Sequence, residues 1–252
     1  MRTYIAAALA AIASADQLGA KFMEFVTTHG KSYATVEEFE FRKNIFASVD
    51  AFIQDHNQNN TEATFTVAHN KFSDYTEAEY KKLLGFKNMQ LNDTPVVLSE
   101  ENTPASVNWV DAGAVTPVKD QGQCGSCWTF SSTGALAGAH QIKSGDLLSF
   151  SEQQLVDCVH TCFGCNGGNQ ALAFRYLKTH DIELESVYPY TAKDGDCAYN
   201  ESSATSIDVS SYTTVTPDSP SQMKAALAQQ PLAVSIEADK LVFQTYSTGV
   251  LN

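Results

Sequence analysis

Between Thr35 and Asn57 apolar side chains recur at Phe39, Phe46, Val49 and Ile53, the spacing of one helix face. Thr35 followed by Glu38 forms a capping box that opens this helix. Thr76 with Glu79 repeats the device before a second helix that ends near Gly85. Between them TFTVA, 64–68, alternates as a short strand does. From Lys87 to Thr103 the chain is rich in Asn, Asp, Ser, Thr and Pro without a period, and reads as a linker. Ser126 to Lys143 predicts a helix stopped by Gly145, with Trp128, Ala135, Ala139 and Ile142 on a common face. Ser151 and Gln154 cap another helix carrying Cys158, and a third runs from about Asn169 to Lys178. SIDVSSYTTV, 206–215, and PLAVSIEA, 231–238, read as strands, and Ser219, Pro220 and Gln222 start a helix between them. The pattern is α+β, helical first and β-rich later, with no internal repeat.

The first fifteen residues change the compartment in which the rest is read. Arg2, an apolar run from Tyr4 to about Ile12, and Ala13 and Ala15 flanking Ser14 predict a secretory signal cut after Ala15. No later stretch approaches the roughly 18 apolar residues of a membrane span. A net charge of -13 argues against nucleic acid and anionic membranes as partners, because like charges repel. In an oxidising compartment the six cysteines become disulfide candidates, and all of them lie between Cys124 and Cys197. The chain therefore divides into a cysteine-free first part and a cysteine-bearing second part.

Candidate chemistry concentrates in KDQGQCGSCWTF, 119–130. Cys127 falls at the predicted start of a helix, where unpaired N–H groups and the helix dipole favour negative charge and lower a thiol's pKa. Gln121 can bring an amide N–H beside the Cys127 backbone N–H, two donors for the oxyanion of a tetrahedral intermediate. A redox dithiol formed by Cys124 and Cys127 would need both thiols free beside a βαβ unit, and that pattern is absent. Cys158, His160, Cys162 and Cys165 fit no regular zinc spacing, so no metal and no cofactor are expected.

CGSCW, together with PASVNWVDAGAVTPVKDQG, LSFSEQQLVDC, GCNGG and QQPLAVSIEA in that order, resembles the papain-like cysteine peptidases, in particular their cathepsin L-like precursors. The first part resembles the matching propeptide. Its helix motif is carried by Glu38, Arg42, Phe46, Ile53 and Asn57, with Val49 where asparagine is usual. Its second motif is carried by Asn70, Phe72 and Asp74, with Ala68 where glycine is usual. The resemblance implies a signal over 1–15, an inhibitory propeptide over 16–102 whose tail lies in the active-site cleft, and a two-domain papain-like α+β peptidase from 103 to 252. It assigns Cys127 as nucleophile and Gln121 as oxyanion donor, Gly167 and Gly168 as a backbone platform for substrate, and Asn169 and Ser235 as neighbours of the specificity pocket. It also implies bridges Cys124 to Cys165 and Cys158 to Cys197, leaving Cys162 unpaired; spacing alone leaves 15 connectivities open. The implied partners are protein or peptide substrates and the chain's own propeptide. The implied state is a monomer, reached through the secretory pathway and bound for a lysosome, a vacuole or the exterior.

In this family the histidine and asparagine partners follow the nucleophile by about 130 to 150 residues. Here 252 − 127 leaves 125 residues after Cys127, and FQTYSTGVLN resembles the segment leading toward that histidine. The expectation is a zymogen truncated before both partners, inactive as written, with poor folding on its C-terminal side. The alternative is a noncatalytic homologue or a propeptide-type inhibitor of cysteine proteases.

Overall fold

The computed structural model describes residues 17–89, 91, 93–101, 103–207 and 209–252. The expected signal sequence lies outside the described residues, as do the boundary residues Asp16 and Asn102. The chain forms two compact units, the first taking the chain up to Lys81 together with Glu237–Asn252, the second Lys82–Ile236. Among the described residues no helix is long and apolar enough to cross a membrane.

The first unit is built on helix α1, residues 17–28, and helix α2, Val36–Asn59. Thr35 is extended and its hydroxyl accepts the Glu38 N–H, so the capping box starts α2 as its sequence predicts. Phe22, Phe25 and Phe46 form the core between these helices, the Phe46 ring lying 5.3 Å from Phe22 and 5.0 Å from Phe25. Strand β1, Phe65–Val67, pairs antiparallel with β2, Tyr246–Gly249, although no strand was expected at the second. Asn57 closes the other side of β1, donating to the Val67 carbonyl at 2.8 Å and accepting the Val67 N–H at 3.1 Å. Asn70 turns the chain after β1, accepting the Phe72 N–H and donating to the Gln244 carbonyl. The helix expected to end near Gly85 is α3, Glu77–Lys81, and it stops sooner because residues 83–87 pair with other parts of the chain.

Polar contacts lock this unit where its core is thin. The Arg42 guanidinium bonds both Glu79 carboxylate oxygens at 2.6 and 2.7 Å and the Asp74 carbonyl at 2.9 Å. Lys31 and Tyr33 hold the two oxygens of the nearly buried Asp74 at 2.7 and 2.9 Å. Five of the propeptide-motif residues, Arg42, Phe46, Asn57, Asn70 and Asp74, thus join separate elements, Glu38 accepts the Ala34 N–H at the start of α2, Phe72 packs edge-on against Tyr75 and Tyr80, and Ile53 is half-buried on α2.

In the second unit α4, Cys127–Ser144, packs on α5, Glu152–Cys158, and α6, Gln170–Leu177, with α7, Pro220–Leu227, further on. Trp128, Leu136, Phe150, Leu155, Leu172 and Ile182 fill its core. α4 ends where Gly145 turns left-handed at φ +86°, a conformation glycine adopts without a Cβ clash. Ile142, expected on the buried face of α4, is 44% exposed, in the last turn of the helix. Among the described residues of 206–215 and 231–238 none lies in a strand; a strand needs a partner ladder, and those residues have none. Val234 and Ile236 are consequently left exposed.

Arg42→Ala is expected to weaken the first unit by about 1–2 kcal/mol, allowing for solvent access to Glu79, and to speed hydrogen exchange in α2 and α3. The Arg42 guanidinium is the main reason the Glu79 carboxyl is held down at about 2. A depressed carboxyl contributes stability above its unfolded value and loses it as pH falls toward the folded one. The same exchange measurement should therefore show the unit loosening as pH drops from about 4.5 toward 2, and a smaller drop in Arg42→Ala.

Candidate active site

Cys127 is the first residue of α4, with its side chain half-buried. Just before it the Gln121–Cys124 loop is fixed by a bridge between Cys124 and Cys165, whose Cα atoms lie 4.6 Å apart, and by the Gly125 N–H on the Cys165 carbonyl. A second bridge joins Cys158 to Cys197, and Cys162 remains a buried free thiol in the core beside Trp128. Gln121 extends its amide across the loop, where Nε2 donates to the Cys124 carbonyl and to the Leu83 carbonyl, each at 2.8 Å.

Leu83 belongs to a stretch that crosses the site. The Gly168 N–H donates to the Gly85 carbonyl at 2.8 Å and the Lys87 N–H donates to the Gly168 carbonyl at 2.8 Å, a parallel pairing centred on Phe86. Asn169, the cap of α6, accepts the Ala171 N–H and donates to the Lys87 carbonyl at 3.1 Å. Gly85 passes so close to the nucleophile loop that a Cβ there would stand 1.7 Å from the Gly125 carbonyl oxygen. A Cβ on Gly168 would stand 2.5 Å from the Trp128 ring, so backbone approach at this position requires glycine. Gly167, at φ +114°, also faces the Gly85 carbonyl. Ser235 stands at the edge of this arrangement, its hydroxyl accepting the Gln170 amide at 2.7 Å.

Position in the chain predicts an acidic Cys127 thiol; the structure shows the opposite direction. Burial is the largest influence and pushes the thiol up, while the N–H groups of Gly85, Trp128, Phe86 and Cys127 itself pull it down without prevailing. The helix start is local in sequence, whereas the cover over the sulfur comes from forty residues earlier, so the motif alone cannot reveal it. The cover also presents N–H groups to the sulfur. Acylation needs a carbonyl carbon at attack distance, so this stretch occupies the thiol without being placed for attack.

The histidines of this unit are engaged elsewhere. His140 packs edge-on against Phe150 at 5.8 Å and lies about 20 Å along α4 from Cys127 at 1.5 Å per residue. His180 stacks on Tyr176 at 4.3 Å, and His160 is exposed at the end of α5. In the first unit His29 lies beside Phe25, His56 beside Phe65, and His69 stacks on Phe46 while bonded to Asp50. The structure thus gathers Cys127, Gln121, Gly167, Gly168 and Asn169 around residues 83–87. Of that stretch, sequence reasoning reached only the general idea of a tail; the one local signal was Gly85 following Leu83 and Leu84.

The papain family cysteine protease description matches residues 103–252, and the cathepsin propeptide inhibitor domain description matches residues 22–80. The chain is 40% identical over 237 residues to cysteine proteinase 5 of Dictyostelium discoideum, covering 91% of this chain and 67% of that protein. It is 38% identical over 242 residues to procathepsin L of Mus musculus, covering 92% and 71%. Among solved structures, digestive procathepsin L 3 of the Tenebrio molitor larval midgut aligns with a TM-score of 0.83 at 35% identity, covering 93% of this chain and 78% of that one.

Because Gly85 is admitted only without a side chain, Gly85→Ala is expected to lift the cover and speed iodoacetamide alkylation of Cys127 by about tenfold, the equivalent of about 1.4 kcal/mol. Peptide mapping by mass spectrometry reads the rate at Cys127 separately from Cys162.

The matched peptidase and propeptide regions, with a thiol at a helix start under a backbone-paired cover, establish that the chain belongs to the papain family of cysteine proteases, as a zymogen of its cathepsin L-like branch.

Proposed function

We propose that the chain is the latent precursor of a cysteine endopeptidase in which Cys127 is the nucleophile. Its sulfur attacks the scissile carbonyl carbon, forming a C–S bond, while the oxyanion is held by Gln121 Nε2 and the Cys127 N–H. Collapse breaks the C–N bond and releases the amine, which carries away the proton that the thiol gives up on attack. Water then attacks the thioester, giving the carboxylic acid and the free thiol. Residues 16–102 act as the inhibitory propeptide and 103–252 as the peptidase domain. Substrate peptides lie along Gly167 and Gly168, with Asn169 and Ser235 beside the pocket that selects side chains. The precursor works as a monomer and travels the secretory pathway toward a lysosome, a vacuole or the exterior.

The observation that carries this reading is the two-way backbone pairing of Gly168 with Gly85 and Lys87, next to a thiol and an amide donor. A platform that pairs with a peptide backbone on both sides of one residue is a platform for peptides. The leaving amine needs a proton donor, and none of the second unit's described histidines stands at Cys127. The 252-residue chain is therefore expected to bind covalently but not to turn over.

Incubating the chain with a peptidyl epoxide after the residues before Thr103 have been cut away should give one label per chain, mapped to Cys127, with peptide hydrolysis below detection and labelling lost in Cys127→Ser; the intact chain, its platform filled, should label far more slowly. Labelling at Cys162 instead, or hydrolysis that persists in Cys127→Ser, would overturn the assignment.

A further inference from the structure

Four helices among the described residues open in one way. Thr35, Ser151, Asn169 and Ser219, which start α2, α5, α6 and α7, are extended, with ψ of 163°, 112°, 135° and 91°. In each, the side-chain oxygen accepts an N–H of the first turn. Ser126, which starts α4 immediately before the nucleophile, differs: its ψ is 14° and its hydroxyl caps nothing.

That hydroxyl is spent elsewhere. Ser126 is fully buried, and its Oγ lies 2.5 Å from the hydroxyl of Tyr190, 64 residues later. The Tyr190 hydroxyl also donates to the Gln121 backbone carbonyl at 2.7 Å. A phenol has one hydrogen, and Gln121 receives it, so in the other bond Ser126 must be the donor. The bonds form a chain from Ser126 Oγ–H to Tyr190 to the Gln121 carbonyl. The Tyr190 ring is set by Phe130, which meets it edge-on at 4.9 Å. The charged groups acting on the phenol are Glu152 and Asp120, and both, like its burial, oppose ionisation, so it stays a donor through the neutral range.

We propose that Tyr190 is a positioning residue of the nucleophile site: by drawing Ser126 out of the capping position it leaves the Trp128 N–H, the second of α4, free for the Cys127 sulfur, and by holding the Gln121 carbonyl it keeps the Gln121 oxyanion donor in register with the start of the helix. A serine at a helix start otherwise satisfies an N–H of the first turn itself. The Trp128 and Cys127 N–H groups are among those acting on the Cys127 sulfur, and a capping Ser126 would compete for that end of the helix. Tyr190 thus ties both halves of the site through one oxygen.

The inference rests on Cys127 and Gln121 being nucleophile and oxyanion donor, and its test needs no peptide turnover. The rate of carboxymethylation at Cys127 is followed against pH in the full chain. Tyr190→Phe keeps the ring against Phe130 but frees Ser126 to cap. Alkylation near pH 7 should fall about three- to tenfold and its midpoint should move to higher pH. Adding Ser126→Ala to Tyr190→Phe removes the competitor, and the rate should return to within about twofold of the unaltered chain, as should Ser126→Ala alone. A merely structural tyrosine predicts a double variant at least as slow as Tyr190→Phe. That result, an unchanged profile in Tyr190→Phe, or a shift beyond about threefold in Ser126→Ala alone, would overturn the proposal. An unaltered chain that does not alkylate at Cys127 at all would instead sink the earlier assignment of the nucleophile.

Discussion

Two hydrogen bonds at Gly168, one from its N–H and one to its carbonyl, are the constraint around which the second unit is arranged. They exist because Gly168 has no side chain against Trp128 and because Gly85 can pass the Gly125 carbonyl without one. From them follow the cover over Cys127, the engagement of Gln121 by the Leu83 carbonyl, and the burial that raises the thiol. On the proposed reading, with this stretch standing where a substrate peptide would lie, the thiol is restrained in two ways. The platform is filled, and the sulfur meets N–H groups where chemistry needs a carbonyl carbon.

The first unit is stabilised differently. Its aromatic core around Phe22, Phe25 and Phe46 is small, and Arg42, Lys31 and Tyr33 add charge-assisted bonds to Glu79 and Asp74. The Arg42 to Glu79 pair keeps the unit ordered near neutral pH and is lost when the Glu79 carboxylate is protonated. The residues that the propeptide resemblance singles out are, for the most part, those that join one element of this unit to another. Their spacing on α2 places Glu38, Arg42 and Phe46 one turn apart along one side of the helix.

What could be read from the sequence was what is local. Thr35 with Glu38, Thr76 with Glu79 and Ser151 with Gln154 announce helix starts because the capping bond spans three residues. Gly145 announces a helix end for the same reason. What escaped was non-local: the partner of β1 lies some 180 residues away, the strands expected at 206–215 and 231–238 lack a ladder, and the thiol's environment is set by residues 85 and 86. The bridges from Cys124 to Cys165 and from Cys158 to Cys197 belong to the same class, since no spacing rule selects them from the possible pairings. The Ser126 to Tyr190 bond is a further case, in which a residue that reads as an ordinary cap is committed to a distant phenol.

Amide hydrogen exchange at Gly168 and Lys87, measured in the intact chain and again after residues before Thr103 have been cut away, tests the central claim most directly. The account predicts that both amides are protected while the chain is intact and that Gly168 exchanges freely once the covering stretch has gone. Fast exchange of Gly168 in the intact chain, at the rate of an exposed loop amide, would contradict it.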